Sequence, residues 1–75
     1  MRKVEFYGWQ KGVRKIHFIR LLNEVGGLSL KESKSIKDRL IDNSERIVVE
    51  FKDDETAKKI VEISTTYCIK CCLVK

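Results

Sequence analysis

The stretch Gly26–Gly27–Leu28–Ser29–Leu30–Lys31–Glu32 constrains this chain more than any other. It lies between two segments with helical spacing and carries both a stop signal and a start signal. The glycine pair can adopt positive φ, which suits a helix C-terminus. Ser29, with Glu32 three residues later, reads as a capping box that opens the next helix. Two helices therefore meet at a tight corner with almost no loop, and the face they share is where partner binding is expected.

The chain has 75 residues, so it is expected to be a single domain spanning 1–75 that buries only about 60 % of its unfolded surface. A two-layer arrangement with one modest core is the limit. No room remains for a deep catalytic cleft and its supporting shell. Proline is absent, and no Ser/Gly/Pro-rich linker divides the sequence. No apolar run approaches the ~18 residues of a membrane span, and Met1-Arg2-Lys3-Val4-Glu5 lacks a signal-peptide hydrophobic region, so the expected location is the cytoplasm. The net charge of +5, from sixteen basic and eleven acidic residues, fits a nucleic-acid partner or an acidic patch on another protein. The charges are interleaved, which argues against a disordered basic arm.

In chain order, Val4-Glu5-Phe6-Tyr7 alternates as a strand that Gly8 should stop. Trp9, Gln10, Lys11 and Gly12 read as a loop, in which Trp9 is either a stacking platform for a base or, more commonly, a cover over the end of the core. Val13 to Val25 is the first helix, with Phe18, Leu21, Leu22 and Val25 as its buried stripe. Ile16 and Ile19 lie off that stripe beside Arg20 and Asn23, with Lys15 on the flank. They form either a second apolar stripe that docks a partner or a packing surface for the neighbouring helix. Lys31 to about Asn43 is the second helix. Leu30, Ile36 and Leu40 face inward, Ser33 allows close helix approach, and Lys31, Lys34, Lys37 and Arg39 give it a basic side.

Arg46 to Phe51 is the clearest strand, with Ile47, Val49 and Phe51 on one face. Asp53-Asp54-Glu55 places acids at a helix N-terminus, where capping explains them better than metal binding. Ala57, Ile60, Val61 and Ser64 line the inner side of this third helix. Thr65 and Thr66 end it. Tyr67 to Val74 is the last strand, whose inward parity Lys70 and Lys75 leave open. All three cysteines fall in Cys68-Ile69-Lys70-Cys71-Cys72. On a strand, positions three apart face opposite sides, and no second Cys or His cluster completes a zinc site. They read as small apolar strand residues, with neither metal nor cofactor expected.

The element order β-α-α-β-α-β contains one crossover, from the second strand through the third helix to the last strand. It makes those two strands parallel and leaves a gap for the first strand to enter antiparallel. The expected fold is a two-layer α/β (α+β) sandwich with a three-stranded sheet ordered 2-1-3 and three helices on one face.

Lys15-Ile16, Ile19 and Gly27-Leu28-Ser29-Leu30-Lys31-Glu32-Ser33-Lys34 resemble the C-terminal domain of the bacterial ribosomal stalk protein. That domain has a Gly-Leu-Gly-Leu-Lys-Glu-Ala-Lys corner between its first two helices. Lys52-Asp53-Asp54-Glu55-Thr56-Ala57-Lys58-Lys59 and Val74-Lys75 are similar too, so the resemblance covers nearly the whole chain. It implies a compact α/β sandwich, shared with the N-end-rule adaptor of the Clp protease. It also implies a surface on the first two helices, which in the stalk protein recruits translational GTPases. By position, that function carries over to Lys15, Ile16, Ile19, Arg20 and Lys34. Asn23 stands where the family has an arginine, so one charge of that surface is missing. The stalk protein has an N-terminal dimerisation and anchoring region and is not basic, whereas this chain is basic and begins in its first strand. A freestanding bacterial or phage relative without the tether is the expectation.

The leading expectation is thus a non-enzymatic protein-interaction module. Its partner-binding residues would be Lys15, Ile16, Ile19, Arg20, Asn23, Lys31 and Lys34, held by a structural corner of Gly26, Gly27, Ser29 and Glu32. The partner would be a translational GTPase or another host factor, bound over a modest area with micromolar affinity. The first alternative is nucleic-acid binding through the basic side of the second helix. Near its N-terminus, however, that helix lacks Asn, Gln or Arg to read base edges, and Glu32 and Asp38 interrupt the basic side. The second alternative is an adaptor or modulator of a Clp-type protease, which requires an acidic pocket that no residue cluster supplies. Enzymatic activity has the least support, since His17 is the only histidine and no nucleophile–base pair surrounds it. The last strand would be an open edge able to pair with a second copy, which leaves the oligomeric state open.

Overall fold

A computed structural model describes residues 2–74. The chain runs β1 (Arg2–Trp9), α1 (Lys15–Glu24), α2 (Leu30–Lys37), β2 (Ile47–Phe51), α3 (Asp54–Thr66) and β3 (Ile69–Val74), with a π-helical turn at Asp38–Asp42 prolonging α2. The sheet order is β2-β1-β3. Strand β1 pairs antiparallel with both neighbours, Val4 opposite Val49 on one side and Leu73 on the other. This is the sandwich that the element order implies: α3 returns the chain so that β2 and β3 run parallel with one strand's width between them, and β1 fills it.

Alternation decides which face is covered. Ile47, Val49 and Phe51 are buried while Val48 and Glu50 are exposed, and Val4 and Phe6 are buried on β1. On β3, Ile69 is buried and Cys71 and Leu73 half-buried, whereas Lys70 and Cys72 are exposed, which settles that strand's parity. Lys75, the other residue on which that parity turned, lies outside the described residues. The helices cover the apolar face of the sheet. The core between the layers is anchored by Phe6 and Phe18, packed edge-to-face with centroids 5.4 Å apart, and by Leu22, Leu40, Phe51 and Ile60.

Strand β1 does not stop at Gly8. An extra residue, Tyr7, is accommodated where the pairing with β3 shifts between Phe6 and Gly8, and the strand continues to Trp9 opposite Ile69. Gly8 lies under the stem of Lys70, whose Cδ would sit 3.3 Å from a Cβ there. It leaves room for a cross-strand neighbour and does not end the strand. Helix α1 begins later than its pattern suggests, with Arg14 as its N-cap in a non-helical conformation (φ −95°, ψ 86°). The Val13 N–H donates to Gln10 O at 3.2 Å and the Arg14 N–H to Tyr67 O at 3.1 Å.

The second helix keeps nearly the expected length but changes pitch. In its last turn the Asn43 N–H donates to Asp38 O at 3.0 Å, five residues back. The wider turn lets two successive residues, Leu40 and Ile41, both reach the core. Leu30 is not inward as expected; it is 51 % exposed. Leu30 and Ile36 are six residues apart, about 240° around a helix, so they cannot share a face, whereas Ser33, Ile36 and Leu40 can.

Asp53 caps α3, accepting from the Thr56 N–H at 2.8 Å. That bond holds its carboxyl below the usual carboxylate range. Along α3, Ala57, Ile60 and Ser64 are buried and Val61 half-buried. The Ser64 hydroxyl is fully buried with no hydrogen-bond partner among the described residues. Ser64→Ala removes that unsatisfied group and favours helix, so it is expected to stabilise the fold by about 1 kcal/mol. A thermal unfolding midpoint about 4–8 °C above wild type would show it.

The candidate partner-binding face of the first two helices

The glycine corner folds as its residues dictate. Helix α1 ends with the Val25 and Gly26 amides both donating to Leu21 O, at 2.9 and 3.1 Å, and the Leu28 N–H to Leu22 O at 3.2 Å. Gly27 takes φ +74°, the left-handed region that glycine enters without strain. Ser29 Oγ then accepts from the Glu32 N–H at 3.1 Å and lies 3.4 Å from the Glu32 carboxylate. Ser33, fully buried, returns its hydroxyl to Ser29 O at 2.9 Å. Asn23 belongs to this corner as well: its side-chain amide donates to Leu28 O at 2.8 Å.

The other expected binding residues separate into three groups. Ile16 is 67 % exposed, whereas Ile19 is only 7 % exposed. Ile19 lies about 60° from Leu22 around α1, within the wide stripe a core-facing helix buries. The supposed second stripe is therefore one buried and one exposed isoleucine. Asn23 follows Ile19 by four residues and bonds into the corner, so this side of α1 faces α2. Arg20 leaves the face: it pairs with Glu24 at 3.5 Å and lines a groove of about 340 Å³ between α1 and α3, floored by Leu21, Val25, Ile63 and Tyr67.

The large apolar side chains exposed on the two helices are Ile16 on α1 and Leu30 on α2, and Lys15, Lys31 and Lys34 of the same helices are exposed too. None of these lysines is ion-paired among the described residues. Further along α2 the basic side is largely neutralised, since Lys37 is held by Asp38 and Asp42, and Arg39 pairs with Glu45 at 3.5 Å. The Lys37 contact keeps the Asp38 carboxyl low and raises the lysine. Leu30, like Ile19, lies where the sequence did not place it, and its six-residue spacing from Ile36 was the available signal.

No group of three or more His, Cys, Asp or Glu able to hold a metal occurs among the described residues. No helix among the described residues is long and apolar enough to cross a membrane. Of the cysteines, Cys72 is exposed and Cys71 half-buried, with Sγ 3.7 Å from Val61 O. Burial pushes the Cys71 thiol up to about 11. Iodoacetamide at pH 8.5 is therefore expected to modify Cys72 at least tenfold faster than Cys71, as peptide mapping would show. The folded state holds the Cys71 proton more tightly than the unfolded chain does. Its contribution to stability is thus complete below about pH 9 and is lost as the pH rises through about 11.

Comparison with protein-family models, with curated proteins and with solved structures finds no match to this chain.

Proposed function

We propose that this chain is a non-enzymatic protein-interaction module that binds its partner on the face formed by α1 and α2. One observation carries the proposal: Ile16 and Leu30 stand exposed on adjoining helices, which also carry three exposed lysines, Lys15, Lys31 and Lys34, with no ion-pair partner among the described residues. Such a surface suits a protein segment that presents an apolar side chain flanked by carboxylates. The resemblance of the corner to the ribosomal stalk C-terminal domain suggests a translational GTPase or another host factor as the partner, and the cytoplasm as the place. Duplex-DNA binding by α2 has less support, because only Lys31 and Lys34 of its basic side are free of carboxylates. The Clp-adaptor alternative gains no acidic pocket from this face.

Affinity capture from a bacterial lysate with wild type, Ile16→Asp and Lys34→Glu tests the proposal. A protein retained by wild type and lost by both variants, each with wild-type thermal stability, is the expected result. Equal recovery by all three would overturn it.

A further inference from the structure

We propose a second surface, which binds single-stranded nucleic acid, at the end of the molecule where the β1–α1 connection meets the α3–β3 turn. Residues 6–23 and 63–75 contain no Asp or Glu. The fold brings these two acid-free stretches together. The Gln10 N–H donates to Cys68 O at 2.8 Å and the Arg14 N–H to Tyr67 O at 3.1 Å, while Gly8 and Trp9 pair with Lys70 and Ile69.

Lys11, Arg14, Lys15 and Lys70 are all exposed here and are not ion-paired among the described residues. These four charges compare with a net charge of +5 for the whole chain. The nearest acids along the chain on either side of the first stretch are already matched, Glu5 with Arg46 at 3.9 Å and Glu24 with Arg20 at 3.5 Å. Four exposed cations therefore meet at an end to which the two joined stretches contribute no acid. Only Lys15 is shared with the helical face proposed above.

The β1 end of this junction carries exposed aromatics. Trp9 is 39 % exposed, and Tyr7, at the irregularity in β1, is 44 % exposed. Cations that follow a backbone, combined with an aromatic ring on which a base can stack, are the two elements of single-strand recognition. A duplex offers no exposed base face to Trp9, and this end presents a turn, not a helix or ribbon shaped to enter a groove. In a body no longer than 29 Å, the patch spans about four nucleotides, the lower end of known single-strand site sizes.

The chain has one tryptophan, so its emission reports directly on the site. Titration of the full chain with a twelve-nucleotide oligothymidylate is expected to quench Trp9 saturably at 50 mM NaCl. With four cations and a log–log slope of about −0.7 for each, affinity should fall about 50-fold between 50 and 200 mM salt. Measured by anisotropy of the labelled oligonucleotide, Trp9→Ala and Lys11→Glu should each weaken binding about tenfold, and Lys58→Glu, at an exposed position in the first half of α3, should leave it unchanged. Lys11 is an exposed turn residue without an ion-pair partner among the described residues, so its variant keeps the test valid should Trp9→Ala fold poorly. Absence of binding at 50 mM salt, or equal binding by Lys11→Glu and wild type, would overturn the proposal. So would equal affinity for a duplex of the same length, or quenching by phosphatidylserine vesicles as strong as by the oligonucleotide.

Discussion

Ile19→Asp is expected to leave the domain largely unfolded at room temperature, while Ile16→Asp, three residues away on the same helix, leaves stability within about 0.5 kcal/mol of wild type. The two side chains differ in burial, 7 % against 67 % exposed. Removing the buried isoleucine forfeits roughly 2–3 kcal/mol of apolar burial. The aspartate put in its place meets a helix–helix junction whose polar groups are already engaged: Ser33 bonds to Ser29 O, and Asn23 to Leu28 O. An unpaired carboxylate there adds at least another 2 kcal/mol. A domain of this size has roughly 4–11 kcal/mol in total, so the sum removes most of it. Far-UV circular dichroism and a thermal melt of both variants decide the matter. A cooperative, unshifted melt for Ile19→Asp would mean that α1 is rotated relative to α2. The contrast also governs how partner-binding experiments are read: loss of binding by Ile19→Asp reports unfolding, and loss by Ile16→Asp reports contact.

This pair of isoleucines marks the boundary of what was legible in the sequence. Strand order, the crossover and the capped corner follow from local chemistry: alternation in Ile47–Phe51, glycines followed by Ser29 and Glu32, and Asp53 ahead of α3. Each depends on residues adjacent in the chain. Ile16 and Ile19 differ by about 60° around α1, and only the neighbouring helix decides which of them is covered. The length of β1 likewise depends on its pairing with β3 across the sheet. The π-helical turn that admits both Leu40 and Ile41 is a tertiary accommodation with no local signature. For the candidate site, Lys15, Lys31 and Lys34 are exposed and not ion-paired among the described residues. Arg20 is drawn off to Glu24, and Asn23 has a structural partner in Leu28 O. The meeting of two acid-free stretches, residues 6–23 and 63–75, is likewise invisible locally, because only the pairing of β1 with β3 joins them.

Gly26→Ala is expected to destabilise the fold far more than Gly27→Ala, although Gly27 is the residue with positive φ. At Gly27 a Cβ meets nothing within 4 Å, so alanine there adds only the strain of φ +74°, about 1 kcal/mol. At Gly26 a Cβ would lie 2.6 Å from Leu22 O and 2.8 Å from Phe51 Cε1. Neither neighbour yields easily. Phe51 is buried in the core on β2, and Leu22 O accepts the Leu28 N–H that turns the chain toward Ser29. Forcing a methyl group into that space costs about 3 kcal/mol, near the upper end for overpacking, and lowers the melting midpoint by roughly 12–24 °C, against 4–8 °C for Gly27→Ala. A parallel thermal melt of the two variants checks the order. The reverse order would mean that backbone conformation alone limits the corner. If the expected order holds, Gly26 is required for space: it lets the end of α1 rest directly on Phe51, and that contact fixes where α2 begins. The position of Leu30 and Lys34 relative to Ile16 then follows from the packing of one glycine against the sheet.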